Sequence, residues 1–537
     1  MKIQTQQIVS RARAAKKAGD FVRASALLGK AVASEPDNLS LQLEQAHALF
    51  AQRKLRDAAH ILHTLHLKHP EHRGIWRDCG TVYIQLGEFP LAEQFLKKCV
   101  GTDPSDYDSW RSLCFVAGSS MKHTDAIFYA MQALQLQPLD PDAHNNLGSV
   151  LLAVGRLDDA LVSFDTVLKL QPERLDALSN IATTLSLKGD PAGALKIYGD
   201  CLAKAQPESD FAKALRYRMS YDYFRTGDLK SGWEGYDYGF FPTDLRSRTP
   251  KRSFHVPKWE GQTLGSEKLL VWREQGLGDE LMFLSVLNEA LQRCPNIILE
   301  CDERLVIPLA RSFPQVEVRR QAMALPDLQS IHNDFDFHVP VGSLMQFFRG
   351  STEDFSRSQP YVAPSSERKK VFSDWLKSLP NPIKIGLCWR SGKLNAERNS
   401  SYIPISDLEP LFHLPGIDFI NLQYGDCEEE LRNVADHFGV VVHQAPDLDL
   451  KDDLDGVFAL ISCMDHVISA KTAVAEMSPA VGTPTSVFMR PQAWTLFGQN
   501  RYIFYPSVTL FLPEEGETLA QVVPRIADNL RDHFARG

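Results

Sequence analysis

Two glycines and an aspartate stand where a strand is expected to give way to a helix. The run KLLVWREQGLGDELMF predicts a buried strand, a turn that contains Gly276 and Gly278, and a helix that starts near Asp279. Glycine lets the backbone approach a bound group, and an aspartate facing a cleft could act as a general base. The alternative is that Asp279 only caps its helix. Glu274, just before the turn, is a second candidate base.

A second loop combines positive charge with a hydroxyl and a glycine. After the predicted strand KIGLC come Arg390, Ser391, Gly392 and Lys393, and Arg398 extends the positive charge. Arginine and lysine bind phosphate through charge-assisted hydrogen bonds, so this loop is a candidate phosphate cradle. The alternative is a solvated basic loop.

A third segment follows the predicted strand DHVISA. Lys471 and Thr472 lead into a helix whose first residues are small and which carries Glu476. Backbone N–H groups at a helix start are free to meet an anion. The segment therefore predicts a second anion-binding site, at the start of a helix, in the same part of the chain as the Arg390 loop.

An acidic segment, KDDLDG, has the Asp-x-Asp spacing of some metal sites at Asp453 and Asp455. Together with Asp452 it precedes a helix, which favours capping and surface charge over metal ligation. We therefore expect no metal ion and no cofactor.

Short apolar runs separated by helical patterns position these loops. After the first strand come NIILECD and FDFHVPVG, and a second set comprises IKIGLCW, IDFINLQYGD, GVVVHQ, DHVISA and PTSVFM. The helix after the glycine turn has apolar residues at Leu281, Leu284, Leu287 and Leu291. Two successive α/β units imply two Rossmann-like halves that face each other across a cleft and join between residues 360 and 382.

The N-terminal part of the chain is a helical-repeat array. Alanine and proline each recur every 34 residues, at Ala24, Ala58, Ala92, Ala126, Ala160 and Ala194 and at Pro36, Pro70, Pro104, Pro138 and Pro172. In a matching register stand Gly19, Gly87, Gly155 and Gly189, with Arg53 and Met121 in the two remaining places. Each unit therefore predicts a helix, a turn, a helix and a proline. Past Pro207 the register fails, and a helical cap and a linker over residues 249–265 are expected.

Composition narrows the classes of function. A net charge of −9 without a basic block disfavours nucleic-acid binding. The first residues lack a signal-peptide core, and no apolar run approaches membrane-spanning length, so we expect a cytoplasmic protein without membrane association. Nine cysteines without a C-x-x-C pair indicate reduced thiols.

These features resemble known families. The repeats resemble tetratricopeptide repeats, which hold peptides or proteins in a groove. The segments EQGLGDELMF, KIGLCWRSG, FINLQYGD, SAKTAVAEMSPAVGTP and RYIFYPSVTLF resemble GT-B glycosyltransferases, with a catalytic region similar to lipopolysaccharide heptosyltransferases and a layout similar to protein O-GlcNAc transferases.

The resemblance implies roles for particular residues. Asp279 matches the heptosyltransferase catalytic aspartate, and Arg390, Ser391 and Lys393 match the donor-phosphate region. Gln423, in the FINLQYGD segment, belongs to the same donor-binding set. The first half would then face the acceptor, the second half would hold the nucleotide-sugar, and the repeats would recruit a protein acceptor.

Lys471 is a departure from that family, which usually has aspartate there and a histidine at the place of Glu476. Lysine donates hydrogen bonds and brings positive charge, so it would suit an acidic sugar. A nonulosonic acid such as pseudaminic acid, activated as its CMP ester, fits, and the layout is similar to flagellin glycosyltransferases. The alternative is that Lys471 points to solvent or pairs with Glu476.

The sequence thus predicts an all-α tetratricopeptide superhelix followed by an α/β GT-B region. Expected boundaries are a repeat domain that binds the acceptor (residues 1–225), a helical cap and linker (226–266), and two Rossmann-like halves (267–365 and 366–537). The expected function is transfer of a sugar from a nucleotide-sugar, CMP-linked in the favoured case, to a protein such as flagellin. Two other functions stay open: an inactive adaptor that binds a client protein, and a carbohydrate-acceptor transferase whose repeats only oligomerise.

Overall fold

The computed structural model describes residues 3–240, 248, 252–324, 329–391 and 401–535. The chain divides into two compact units, Met1–Thr184 and Leu185–Gly537. Within the described residues, no helix is both long enough and apolar enough to cross a membrane.

The first unit consists of antiparallel helical hairpins. Its helices are α1 Ile3–Lys17, α2 Phe21–Ser34, α3 Leu39–Ala51, α4 Leu55–Lys68, α5 Arg73–Leu86, α6 Phe89–Thr102, α7 Tyr107–Ser119, α8 His123–Leu136, α9 Pro141–Ala153 and α10 Leu157–Leu170, and α11 Leu175–Leu187 crosses into the second unit. The repeated alanines from Ala24 to Ala160 are fully buried, because two helices approach closely at each of them. The repeat fold and its register are confirmed.

The turn between the two helices of a hairpin is left-handed throughout the array. Gly19 and Gly87 have φ values of 78° and 76°, and Arg53 and Met121 adopt 63° and 59° at the equivalent places. A side chain with a Cβ is strained in this region, so Arg53 and Met121 are held there by the packing of their hairpins.

The second unit begins with helices that extend the helical part of the chain: α12 Pro191–Lys204, α13 Asp210–Thr226 and α14 Leu229–Tyr236. Helices α13 and α14 form a hairpin that turns at Gly227, whose φ is 83°. Helix α14 lies in the segment expected to hold a helical cap, whereas α13 lies in the expected repeat domain. The aromatic side chains of the hairpin pack into the main core of the α/β region.

The first sheet has four parallel strands in the order β3-β2-β1-β6. They are β1 Leu269–Trp272, β2 Ile297–Cys301, β3 Glu317–Arg320 and β6 Phe337–Pro340, and a short antiparallel pair, β4 Met323–Ala324 with β5 Gln329–Ser330, follows β3. The accompanying helices are α15 Leu277–Leu284, α16 Leu287–Arg293, α17 Val306–Ser312, α18 Met345–Phe348 and α19 Ser366–Lys377.

The second sheet has six parallel strands in the order β12-β11-β10-β7-β8-β9. They are β7 Ile383–Cys388, β8 Ile417–Asn421, β9 Val442–His443, β10 His466–Ala470, β11 Thr485–Phe488 and β12 Val508–Phe511. Its helices are α20 Glu409–Phe412, α21 Glu428–Phe438, α22 Leu454–Ile461, α23 Ala473–Ala480 and α24 Val523–Ala535. Two parallel sheets with helices confirm the predicted fold class.

Three local features differ from what the sequence predicts. The single helix expected after the glycine turn is two helices, α15 and α16. Helix α15 ends at Leu284, and the hydroxyl of its C-cap residue Ser285 donates to Met282 O at 2.7 Å. Strands β3 and β12 were not predicted. Within the expected linker, Trp259 is fully buried, and its backbone N–H donates to His338 O at 2.9 Å. This segment therefore packs along the first sheet.

Candidate functional site

The glycine turn ends strand β1 and starts helix α15. Gly276 is the N-cap residue, and its N–H donates to Asp279 Oδ2 at 3.3 Å, so Asp279 does cap its helix. Among the described residues no donor contacts the other carboxylate oxygen of Asp279. Gln275, immediately before, has a φ of 59°, a strained conformation of the kind that clusters at functional sites.

The pKa of Asp279 is raised above its ordinary value, and burial is the largest cause. The positive charge of Lys471 acts in the opposite direction, while Glu476 and Glu274 raise the pKa further. The carboxylate from the first sheet therefore shares an electrostatic environment with the predicted donor-side residues of the second sheet.

Glu274 lies beneath the turn in a fully buried ion pair. Both of its oxygens accept from Arg248, and Oε1 also accepts from the Gly342 N–H at 3.0 Å. Arg248 continues the network to Asp237 Oδ1 at 3.2 Å and Ser343 Oγ at 3.1 Å. The Glu274 carboxylate is thus occupied by structural contacts.

The start of helix α23 meets the glycine turn directly. Thr472 is the N-cap residue of α23, and a Cβ placed on Gly278 would lie 3.6 Å from Ala473 Cα. Helices α15 and α23 therefore begin side by side, at the carboxyl ends of β1 and β10. This edge of parallel sheets is where ligands bind in α/β proteins.

Lys471, Glu476 and Tyr502 form a compact cluster beside this contact. Lys471 Nζ pairs with Glu476 Oε1, and the Tyr502 hydroxyl lies 2.6 Å from both Lys471 Nζ and Glu476 Oε1. Glu476 is 1% exposed, whereas the Lys471 side chain is 25% exposed. The pairing of Lys471 with Glu476, left open from the sequence, is present.

The loop after β7 forms a neighbouring group. Gln423 Oε1 accepts from the Arg390 N–H at 2.9 Å, and the Arg390 guanidinium pairs with Glu430, which raises the Arg390 pKa. The Ser391 hydroxyl lies 3.3 Å from the Tyr424 hydroxyl. The Arg390 side chain is thus committed to helix α21.

This group joins the first through Cys388. Its Sγ lies 3.8 Å from Gln423 Oε1 and 3.5 Å from Thr472 Oγ1. Gly392, Lys393 and Arg398, the other predicted donor residues, lie outside the described residues, so their roles stay predictions.

A polar groove of about 710 Å³ lies at the carboxyl ends of β1, β2 and β3. Its lining includes Arg273, Asp302, Arg304 and, from the second half, Asp452. Beneath it, Glu280 accepts from the Asp302 N–H at 3.0 Å, and burial raises the pKa of Glu280 to about 7. The sequence reasoning missed this groove, although Arg273 directly follows a strand, which is the signal for ligand-facing residues.

The acidic segment makes structural contacts. Asp453 is the N-cap residue of α22, where its Oδ1 accepts from the Gly456 N–H at 3.0 Å, and it also pairs with Arg368. Asp455 binds Arg311 through two hydrogen bonds of 2.7 and 2.9 Å. Both aspartates therefore have capping or ion-pair roles in this structure.

Comparison with known proteins identifies the repeats. Tetratricopeptide repeat families match residues 15–72 and 49–114, 129–162 and 174–206. A tetratricopeptide repeat protein from Parabacteroides merdae matches at 15% identity over 44% of this chain and 93% of its own, with a TM-score of 0.39. MamA from Desulfovibrio magneticus matches at 17% identity over 32% of this chain and 98% of its own, with a TM-score of 0.31.

A longer match covers repeats and α/β region together. Protein FlbA of Caulobacter vibrioides is 31% identical over 482 residues, which are 87% of this chain and 80% of that protein. The match therefore extends well beyond the repeats. By this identity and coverage, the chain belongs to the same family as Protein FlbA.

Proposed function

We propose that this protein is a nucleotide-sugar-dependent glycosyltransferase of the GT-B type that modifies a protein acceptor. One observation carries the proposal. The glycine turn with Asp279, at the carboxyl end of the first sheet, meets the start of α23 with Lys471 and Glu476, at the carboxyl end of the second. The proposed base and the proposed anion-binding helix start are therefore side by side.

The chemistry assigned to these groups is a direct transfer. Asp279 accepts the proton of an acceptor hydroxyl, whose oxygen bonds to the anomeric carbon of the donor sugar while the bond to the nucleotide phosphate breaks. Because the pKa of Asp279 is raised, it lies closer to neutral pH and the Asp279 carboxylate is a stronger base. Backbone N–H groups at the start of α23 and the loop after β7 are the proposed sites for the leaving phosphate.

The proposed donor is a nonulosonic acid, such as pseudaminic acid, carried as its CMP ester. Lys471 uses its ammonium group on Glu476 and Tyr502 and is still partly exposed, so a remaining N–H is available for a sugar carboxylate. The repeats are proposed to present Ser or Thr residues of a protein acceptor, for which flagellin is the favoured candidate.

A mass measurement tests the proposal. The purified protein is incubated with flagellin and, in turn, CMP-pseudaminate, CMP-legionaminate, UDP-GlcNAc and ADP-heptose, and intact acceptor mass is recorded for wild type and Asp279→Ala. A mass increase that needs Asp279 supports the transferase. Absence of transfer from every donor, with flagellin still captured by the protein, would favour the adaptor instead.

A further inference from the structure

Within the part of the chain that the structure describes, one carboxylate oxygen beside the site has no hydrogen-bond partner. Glu476 is buried, and its Oε1 already accepts from both Lys471 and Tyr502. Its Oε2 is also buried, yet no hydrogen-bond donor contacts it among the residues that the structure describes. Buried acceptors in proteins are normally satisfied, so this unpaired oxygen beside the glycine turn is suited to a hydrogen-bond donor that arrives with a ligand.

Tyr502 determines which oxygen of Glu476 is left over. A phenol has one O–H, so its hydroxyl accepts from Lys471 Nζ and donates to Glu476 Oε1, each at 2.6 Å. Its ring also lies 4.7 Å from Lys471 Nζ, and its hydroxyl contacts Met282 Sδ of helix α15 at 3.7 Å. The hydroxyl of Tyr502 thereby holds both charged side chains in one arrangement.

The unpaired oxygen belongs to a side chain that reaches the glycine turn. A Cβ on Gly278 would lie 3.9 Å from Glu476 Cγ and 3.6 Å from Ala473 Cα. The same turn carries Asp279, the proposed base. A group bound to Glu476 would therefore be next to the sugar carbon that reacts.

We propose that Glu476 Oε2 accepts a hydrogen bond from a hydroxyl or acylamino N–H of the transferred sugar, and that Tyr502 is a positioning residue for Glu476 and Lys471. This inference rests on the proposed function. It restricts the transferred sugar to one that has two neighbouring groups: an O–H or N–H that donates a hydrogen bond to Glu476, and a group that accepts a hydrogen bond from Lys471. Glu476 is then a specificity-determining residue that reads the sugar and not the nucleotide.

The test compares each nucleotide-sugar of the panel with its own free nucleotide, CMP, UDP or ADP, by titration calorimetry. Tyr502→Phe and Glu476→Gln are expected to weaken binding of the productive nucleotide-sugar about tenfold, or about 1.4 kcal/mol, and to change binding of the free nucleotide less than about twofold. Tyr505→Phe is the matched control, because Tyr505 is also buried but its hydroxyl donates to neither charged residue. Circular dichroism verifies folding, and either substitution alone decides the test if the other fails to fold.

The outcomes separate the two proposals. Equal weakening of nucleotide-sugar and free nucleotide would mean that the cluster is only structural, and unchanged binding of both would also overturn the inference. If wild type binds and transfers a sugar while both variants retain wild-type selectivity, only this inference fails. If wild type binds no nucleotide-sugar, the inference falls together with the proposed function.

Discussion

Two carboxylates five residues apart are expected to respond in opposite ways to loss of their charge. Glu274 is fully buried and accepts three hydrogen bonds, two from Arg248 and one from Gly342. Glu274→Gln removes the closest partner of the buried Arg248 charge and leaves, among the described residues, only its 3.2 Å pair with Asp237, and breaking such a buried pair typically costs about 3–5 kcal/mol of folding free energy. Among the described residues Asp279 accepts one hydrogen bond, 3.3 Å long, from the N-cap residue Gly276. The amide oxygen of asparagine can accept the same bond, so Asp279→Asn should cost less than about 1 kcal/mol.

The assay pairs urea denaturation of the full chain, followed by tryptophan fluorescence, with sugar transfer to the acceptor. We expect Glu274→Gln to lower the free energy of unfolding strongly, and Asp279→Asn to abolish transfer with little change in stability. Glu289→Gln is the control, because it removes a different pair with a buried arginine, Arg349, and should destabilise without loss of transfer below the unfolding range. A Glu274→Gln protein with wild-type stability and no transfer would refute the assignment and make Glu274 the base.

Three further predictions concern stability and pH. Met121→Gly should stabilise the repeats by up to about 1 kcal/mol, because glycine adopts the left-handed φ of 59° at this position without strain. Met131 is similarly exposed but lies inside α8, so Met131→Gly should destabilise the repeats by about 1 kcal/mol. Urea denaturation measures both effects. Lys471→Met removes a positive charge that lowers the pKa of Asp279, so that pKa should rise. The acidic limb of the pH profile of kcat/KM should then move to higher pH, and a limb at the wild-type pH would contradict this prediction. Burial raises the pKa of Glu280 from 4.5 to about 7, so between these pH values the folded state keeps a proton that the unfolded chain releases. The free energy of unfolding should therefore fall by about 3 kcal/mol as pH rises from 4.5 through 7. Glu280→Gln should make the free energy of unfolding, measured with urea, depend less on pH over this range.

Much of the fold could be predicted because buried elements have apolar residues in a recognisable pattern. A strand covered on both faces, such as β1 with its sequence LLVW, is a continuous apolar run. Strand β3 has the sequence EVRR and lies at the edge of its sheet, where its side chains are partly or fully exposed. Such a strand is held by backbone pairing with β2, which no side-chain pattern reveals.

The candidate site was predictable in part for a similar reason. Asp279 and Lys471 follow strands of parallel sheets, and the carboxyl ends of such strands converge. Tyr502 lies 31 residues beyond Lys471 in a segment without regular periodicity, so only the tertiary fold brings their polar atoms to 2.6 Å. The pairing of Arg248 with Glu274 is equally invisible, because Arg248 belongs to the irregular stretch before the first strand.

The helical hairpin α13–α14 packs against the segment that follows strand β11 of the second sheet. Its Phe224 ring lies 4.4 Å from Trp233 in the same hairpin and 5.2 Å from Trp494, which follows β11. Arg225 Nε donates to Gln492 O at 2.8 Å. The segment after β11 that makes these contacts continues directly to Tyr502.

The join between the two halves is also tied to both of them. The Tyr361 hydroxyl donates to Leu281 O of α15 at 2.6 Å, and the Tyr361 N–H donates to Ala480 O of α23 at 2.9 Å. A rigid-body opening about this join would have to break these bonds and pull the α13–α14 aromatic cluster away from Trp494. Those contacts are buried and bind both halves, so they oppose separation of the two sheets.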